Sequence, residues 1–318
     1  MPLPAMQETY SGRVNEVTLG GGARRGTVTV GGAKVPQYGG DRAVCGRRPV
    51  IAIDVLDAQP QDWAPVLAQA YGGVLDKPAA WAKKAVDEFG ADLVCLKFDG
   101  IHPDRGNRGA DQAVAATKEV LDAVRVPVIL WGCGNDEKDN AVMPKVSQAA
   151  KGEKVLLGTV TQDNYKNLTA TALADGHFLI AQAPLDINIA KQVNILVSDM
   201  GFPLESLVMF QTTGTLGYGM EYAYSIQERE RLAALGGDKL MALPVICDVG
   251  YESWRAKEAK ISADEAPKWG DAARRGPLWE ATTAVALLQS GVDIVRMRHP
   301  AAVAIVRSYI DGLWGSAK

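Results

Sequence analysis

Eight short apolar runs, fenced by two recurring kinds of punctuation, constrain this chain more than anything else in its 318 residues. Three are opened by proline: "RPVIAIDV" from Arg48 to Val55, "VPVILWG" from Val126 to Gly132 and "LPVICDV" from Leu243 to Val249. Proline cannot donate to a sheet ladder but is tolerated at the first residue of a strand, and near-continuous apolar runs mark strands buried on both faces. A second set ends a helical pattern at glycine and restarts within a few residues: "EFGADLVCLKF" (Glu88 to Phe98), "QSGVDIVRMR" (Gln289 to Arg298) and, more loosely, "ADGHFLIAQ" (Ala174 to Gln182). Glycine there stops a helix in left-handed backbone, so these are helix-to-strand turns. "EKVLLGT" (Glu153 to Thr159) and "ESLVMFQT" (Glu205 to Thr212) complete the set.

Helical patterns fill nearly every gap. In "PAAWAKKAVDEFG", Trp81, Ala85 and Phe89 recur every fourth residue and turn one apolar stripe toward a sheet. Alternating strand–helix units in this number predict a TIM (β/α)8 barrel over residues 49–318. A doubly wound open sheet would need a nucleotide fingerprint after its first strand, and "IDVLDAQPQDW" has none. Residues 1–48 read as an N-terminal extension. Within it, "GRVNEVTLGGGARRGTVTVGGAKV" alternates apolar and polar residues around a glycine-rich turn, a β-hairpin expected to close the barrel bottom.

Composition narrows the function classes. Hydrophobic residues are 47% and charged residues 22% of the chain, as in ordinary globular proteins, and no run approaches the roughly 20 apolar residues of a membrane span. A net charge of −3 leaves no basic footprint for nucleic acid. "MPLPAMQETYSGRV" lacks the basic and apolar regions of a secretory signal, so the expected location is the cytoplasm. Cys45, Cys95, Cys133 and Cys247 form no C-x-x-C pair, which argues against a disulfide framework and against a zinc or iron–sulfur site built by this chain alone.

In such a barrel, chemistry collects where strands end and the following loops begin. Those positions hold Asp54; Lys97, Asp99 and Gly100; Cys133, Gly134 and Asn135; Thr159; Asp186 and Asn188; the segment 212–220; the segment 248–251; and Arg298 with His299. The mouth therefore reads as polar, acidic and glycine-rich. Asp186 and Asn135 can equally cap the helices that follow them, and Asp54 and Asp99 can simply pair with Lys97. No G-x-S-x-G, H-E-x-x-H or G-x-x-x-x-G-K-[ST] motif occurs, and His102, His177 and His299 fall in different segments. A long stretch after the seventh strand, "VGYESWRAKEAKISADEAPKWGDAARRGPLWEAT", carries Tyr251, Trp254 and Trp269 among charges and reads as a loop serving as lid or protein interface.

The sixth strand is followed by "TGTLGYGMEYAYSIQERERLAAL" (Thr213 to Leu235), with Gly214, Gly217 and Gly219 close together. It lacks the third glycine of a dinucleotide fingerprint and does not follow the first strand, so it is no phosphate cradle. Glu221 to Leu235 reads as a helix, with Glu228 and Arg231 able to pair on its wet face and Gly236–Gly237 stopping it.

Five of these stretches together, "GTLGYGMEYAYSIQERERLAAL", "APLDINIAKQVNIL", "PVICDVGYESWRAKEA", "WGDAARRGPLWEATTAVALLQSGVDIVRMRHPAAV" and "GADLVCLKFDG", make the chain resemble the small, or delta, subunit family of the corrinoid iron–sulfur protein of the acetyl-CoA (Wood–Ljungdahl) pathway. The likeness runs in order from about Pro49 to the last helix, with the hairpin similar but weaker. It implies a TIM barrel paired with a large subunit that holds the [4Fe–4S] cluster and anchors the corrinoid (cobamide), which is shared at the interface. It also implies a heterodimer that accepts a methyl group from methyltetrahydrofolate, or a methanopterin relative, through a separate methyltransferase and passes it to acetyl-CoA synthase, with a reductive activator as a further partner. The absence of a D-x-H-x-x-G stretch agrees with a chain that does not ligate cobalt. A cap over a flat, amide-fringed macrocycle needs closely approaching backbone together with amide and carboxylate groups. The expected cofactor contacts are therefore Asp99, Asn135, Asp186, Asn188, Gly214, Gly217, Tyr218, Gly219 and Met220, with no catalytic residue and no metal ligand. The alternative is a pterin-binding TIM-barrel methyltetrahydrofolate:corrinoid methyltransferase, in which Asp54, Asp99, Asn135, Asp186 and Asn188 would hold the pterin.

Overall fold

The computed structural model describes residues 9–22, 26–36 and 44–315. Strands β1 (Glu16–Gly20) and β2 (Thr27–Gly31) pair as an antiparallel hairpin, with Val17 opposite Val30. Strands β3 (Val50–Leu56), β4 (Leu93–Lys97), β5 (Val128–Trp131), β6 (Leu156–Val160), β7 (Phe178–Ala183), β8 (Leu207–Gln211), β9 (Val245–Cys247) and β10 (Ile294–Met297) close into a barrel in the order β10-β3-β4-β5-β6-β7-β8-β9. Every barrel pair is parallel. All eight apolar runs of the sequence are barrel strands, and Pro49, Pro127 and Pro244 stand immediately before β3, β5 and β9. Gly90, Gly176 and Gly291 sit at φ +66°, +74° and +105°, where the sequence places its helix-to-strand turns.

The helices are α1 (Pro65–Gln69), α2 (Pro78–Asp87), α3 (Ala110–Ala123), α4 (Asp136–Ala149), α5 (Tyr165–Asp175), α6 (Ile187–Asp199), α7 (Met220–Leu235), α8 (Val249–Ser253), α9 (Lys257–Lys260), α10 (Ala272–Gln289) and α11 (Pro300–Trp314). Among the described residues, no helix is long and apolar enough to cross a membrane. Alternation along the strands divides the core in two. Ile51, Ile53, Val55, Val94 and Leu96 point outward under the helices. Ala52, Leu93, Cys95, Ile129, Trp131, Ile180, Phe210 and Ile294 fill the barrel interior, where Val17, Leu19 and Val30 of the hairpin join the same buried cluster. The hairpin lies at the strands' N-terminal ends: Gly20 packs so closely on Pro127 that a Cβ would come within 2.9 Å of its ring. Asn15 N–H also donates to Ala242 O at 2.9 Å, and Gly26 N–H to Arg125 O at 2.9 Å.

Two elements depart from the sequence reading. The stretch after β9 is not an open loop but α8, α9 and a short 3-10 turn at Pro267–Trp269, packed on α10. Trp254 and Ala259 are buried there, and Gly276 of α10 lies so close to the Trp254 ring that a Cβ would approach to 2.4 Å. Arg275 donates to Glu258 O at 2.6 Å and also to Ile261 O, which satisfies carbonyls that such short helices leave open.

The second departure is in α7, where Arg231 does not pair with Glu228 on a wet face. The stripe Ala223, Ile226, Gln227, Glu230, Arg231 and Ala234 faces the barrel, and Arg231 is 4% exposed, donating to Gly291 O beside Asp293. Glu230 on that stripe is 1% exposed, receives Gln211 Nε2 on one oxygen and has no hydrogen-bond partner on the other. Burial pushes its carboxyl from the ordinary 4.5 up to about 8. The native state therefore keeps a proton that the unfolded chain loses, and stability falls as pH rises from about 4.5 to about 8. Glu230→Gln should raise stability by on the order of 2 kcal/mol at pH 8.5 and leave it unchanged near pH 4, as read from urea unfolding at both pH values. Equal effects at the two pH values would contradict a buried, protonated Glu230.

Candidate functional site at the barrel mouth

The parity that fills the barrel floor with apolar residues continues upward into charge. Val50 and Ala52 lead to Asp54, Leu93 and Cys95 lead to Lys97, and Ile294 leads to Arg296 and Arg298. All of these charged residues are buried, from 0% exposure for Asp54 to 7% for Lys97. Arg296 Nε donates to Asp54 Oδ1 at 2.6 Å and its Nη2 to Oδ2 at 3.3 Å, while Arg298 Nε donates to Oδ2 at 2.9 Å. Burial alone would raise the Asp54 pKa, but the two guanidinium charges and their hydrogen bonds hold it below the usual carboxylate range.

The expectation that Asp54 pairs with Lys97 is thus corrected. An arginine fork reaches both carboxylate oxygens from the neighbouring strand, and Lys97 instead lies 3.5 Å from Gly132 O and 5.4 Å from the centre of the Tyr251 ring. The guanidinium of Arg296 stacks on Trp131 at 4.1 Å, and that of Arg298 sits between Trp63 and Tyr251, each at 5.1 Å. Burial, reinforced by the nearby Arg296 charge, lowers the Lys97 pKa. Asp248 is 8% exposed; burial raises its pKa to about 6 against the pull of Arg296. At this point in the mouth two arginines share one buried carboxylate, with a lysine alongside.

Behind this layer, Glu280 of α10 is fully buried. It accepts Trp254 Nε1–H at 2.7 Å, Arg298 N–H at 2.6 Å and His299 N–H at 3.1 Å, and burial pushes its pKa up to about 7. His299 caps α11, its Nδ1 accepting Ala301 N–H at 3.1 Å, and its ring stacks on Trp254 with centroids 5.7 Å apart. Burial lowers its pKa to about 4. His102 Nδ1 accepts Asp104 N–H at 3.2 Å, and His177 contacts Ser147 O at 3.0 Å beside the start of β7. Among the described residues, no three His, Cys, Asp or Glu side chains gather as a metal site.

The candidates singled out by sequence lie in the loops and first helical turns that follow the strands at this C-terminal face, and most already have structural partners. Asp99 opens a 3-10 turn and forms an ion pair with Arg105, not with Lys97. Asn135 caps α4 by accepting Lys138 N–H at 3.0 Å. Asp186 caps α6, accepting Asn188 N–H at 2.8 Å and Ile189 N–H at 3.2 Å, while the Asn188 side chain is exposed. Gly214 abuts Gly219 so closely that a Cβ would lie 2.2 Å from Gly219 O. Tyr218 N–H and Met220 N–H both return to Thr215 O, at 2.9 and 3.1 Å, with Gly217 and Gly219 at φ +73° and +88°. The loop's glycines thus serve its own tight turn. Tyr218 projects outward at 53% exposure, its hydroxyl donating to Glu258 Oε2 of α9 at 2.9 Å.

Arg296 and Glu280 are the mouth residues that the sequence reading missed. Each has a signal, a charge placed at an in-phase position of an otherwise apolar run: "VDIVRMR" for Arg296 and "LWEATTAVALL" for Glu280.

Comparison with known proteins places this geometry. The sequence profile of the family described as CO dehydrogenase/acetyl-CoA synthase delta subunit matches residues 16–273. The acetyl-CoA decarbonylase/synthase complex subunit delta of Archaeoglobus fulgidus is 37% identical, over 97% of this chain and 70% of the relative. Subunit delta 1 of the same complex from Methanosarcina thermophila is 33% identical, over 96% of this chain and 72% of the relative. Among solved structures, dihydropteroate synthase from Stenotrophomonas maltophilia superposes with a TM-score of 0.56 at 14% identity, covering 85% of this chain and 95% of that one, a likeness of fold. From the near whole-length identity to these subunits and the profile match across the hairpin and most of the barrel, the chain belongs to the CO dehydrogenase/acetyl-CoA synthase delta subunit family.

Proposed function

We propose that this chain is the barrel subunit of a heterodimeric methyl carrier, its C-terminal mouth covering a corrinoid anchored in a large subunit that also holds the [4Fe–4S] cluster. A methyltetrahydrofolate methyltransferase delivers the methyl group, acetyl-CoA synthase receives it, and a reductive activator serves the pair. Family membership over nearly the whole chain carries this reading. When bound, the corrinoid supplies the nucleophilic cobalt on which a methyl group is carried.

The residues of the mouth fit such a role. Tyr218, Tyr222 and Trp269 are exposed at 53%, 66% and 45%, flat apolar surface of the kind a macrocycle edge covers. Gly217 and Gly219 present backbone without side chains, Asn188 offers a free amide, and the Tyr218–Glu258 bond ties this loop to α9. His299 is spent on its helix cap and its stack with Trp254, which suits a chain that leaves cobalt ligation to its partner. Asp54, Asp99, Asn135 and Asp186 are bound to arginines or helix ends, and this favours a shield over a pterin-binding enzyme.

The two readings separate in one calorimetric experiment. The chain alone should release no heat with methyltetrahydrofolate, whereas with the large subunit it should form a stable heterodimer with corrinoid absorbance. Saturable folate binding to the isolated chain would overturn the proposal in favour of the pterin-binding methyltransferase.

A further inference from the structure

Beside the buried charge cluster, the mouth contains a cavity of about 90 Å³ walled by Trp63, Trp254 and Tyr251 and lined by the cations Arg298, Arg255, Lys260 and Arg105 with one carboxylate, Asp62. A water needs ~10–15 Å³ of such space, so the cavity takes several waters or one small polar group, not a macrocycle. Arg298 is built into it. Its side chain is 7% exposed, its Nε is held by Asp54 at 2.9 Å, and the guanidinium is clamped between two aromatic faces. Among the described residues the terminal nitrogens make no hydrogen bond, and Arg298 lines the cavity wall.

Charge in this region is unbalanced. Asp54 is one carboxylate shared by two arginines, and Asp248 adds a second negative charge above its own titration. Lys97, 5.4 Å from the centre of the Tyr251 ring, and Lys260, at the cavity edge, form no ion pair among the described residues. Arg255 is paired to Glu252 at 3.0 Å, and Arg105 on the same wall is paired to Asp99 and Asp62. A planar fork fixed at its root, with its tip facing a partly enclosed space and further cations at the rim, is the arrangement that receives an oxyanion. The aromatic walls limit solvent screening and strengthen each contact.

We propose that this cavity binds a small oxyanion, a phosphate or carboxylate group, received by the free edge of Arg298 with Lys260 and Arg255 closing over it. The proposal stands apart from the corrinoid reading, because its test needs only the isolated chain. Inorganic phosphate and acetate are titrated separately into the full-length protein, with chloride holding ionic strength constant, and binding is followed by calorimetry and thermal shift. One saturable site is expected for at least one of the two, and the tighter ligand identifies the group. Lys260→Ala and Arg255→Ala lie at the exposed rim and should each weaken binding about tenfold, leaving the ligand-free melting temperature unchanged. Lys151→Ala, far from the mouth, should leave binding as it is. Absence of saturable binding by both anions, or binding indifferent to both rim substitutions, would overturn the proposal.

Discussion

Asp54→Ala is expected to destabilise the barrel by about 3–5 kcal/mol, the range for removing one partner of a buried ion pair. Arg296 and Arg298 are 1% and 6% exposed, and among the described residues the carboxylate between them is the one acidic group that their guanidinium groups hydrogen-bond. Without it, two guanidinium groups remain in low dielectric, held only by stacking on Trp131, Trp63 and Tyr251. Asp54→Asn, which preserves shape and one acceptor, should cost roughly half as much.

The pH dependence has a definite sign. Asp54 has a lowered pKa in the folded state, so its contribution is fully present above the ordinary carboxylate value of 3.8 and is lost as pH falls through the lower folded value. The gap between wild type and Asp54→Ala in urea unfolding, followed by tryptophan fluorescence, should thus be constant from pH 5 upward and shrink below pH 4. A loss under 1 kcal/mol at pH 7 would mean that water, not Asp54, solvates the arginines.

Glu280→Ala should rank second, at about 3 kcal/mol or more. The substitution orphans three buried donors, Trp254 Nε1–H, Arg298 N–H and His299 N–H, and each unsatisfied buried group costs about 1–3 kcal/mol unless water enters. The loss should also be local. Trp254 ties α8 to α10, so the stretch from α8 to the 3-10 turn should become more exposed to hydrogen exchange while β4 to β7 retain protection. Glu280→Gln would put an amide donor against three donors and should fail to rescue. Full rescue by glutamine would show that shape, not a threefold acceptor, is what the site requires.

Much of this architecture is legible in sequence because buried parallel strands must be apolar throughout and their flanking turns need proline or glycine. The Pro49, Pro127 and Pro244 openings and the Gly90, Gly176 and Gly291 turns each impose a backbone state that few other residues tolerate. The site was less legible because short polar residues at strand ends suit helix caps and ligand contacts equally well. Asn135 and Asp186 read equally as caps or as ligand contacts in sequence, and in the structure both cap the helices that follow them. Charge partners were harder still: Asp54 and Arg296 are 242 residues apart and meet only because the first and last barrel strands are neighbours, with Arg296 registered opposite Ala52. Gly217 and Gly219 mislead in another way. Their positive φ closes the loop on itself, so valine at either position would strain the turn, and Tyr218 is the cleaner probe of whether this loop meets a partner.

The central claim is that the C-terminal mouth, not the hairpin end, faces the corrinoid-bearing large subunit. Hydrogen–deuterium exchange on the purified heterodimer, compared with the free chain, tests it most directly. The account predicts slowed exchange in 99–109, 212–222 and 249–270, around Asp99, Tyr218 and Trp269, with no change in β1 and β2. Protection confined to the hairpin and the N-terminal ends of the strands, with the mouth loops exchanging as in the free chain, would contradict it.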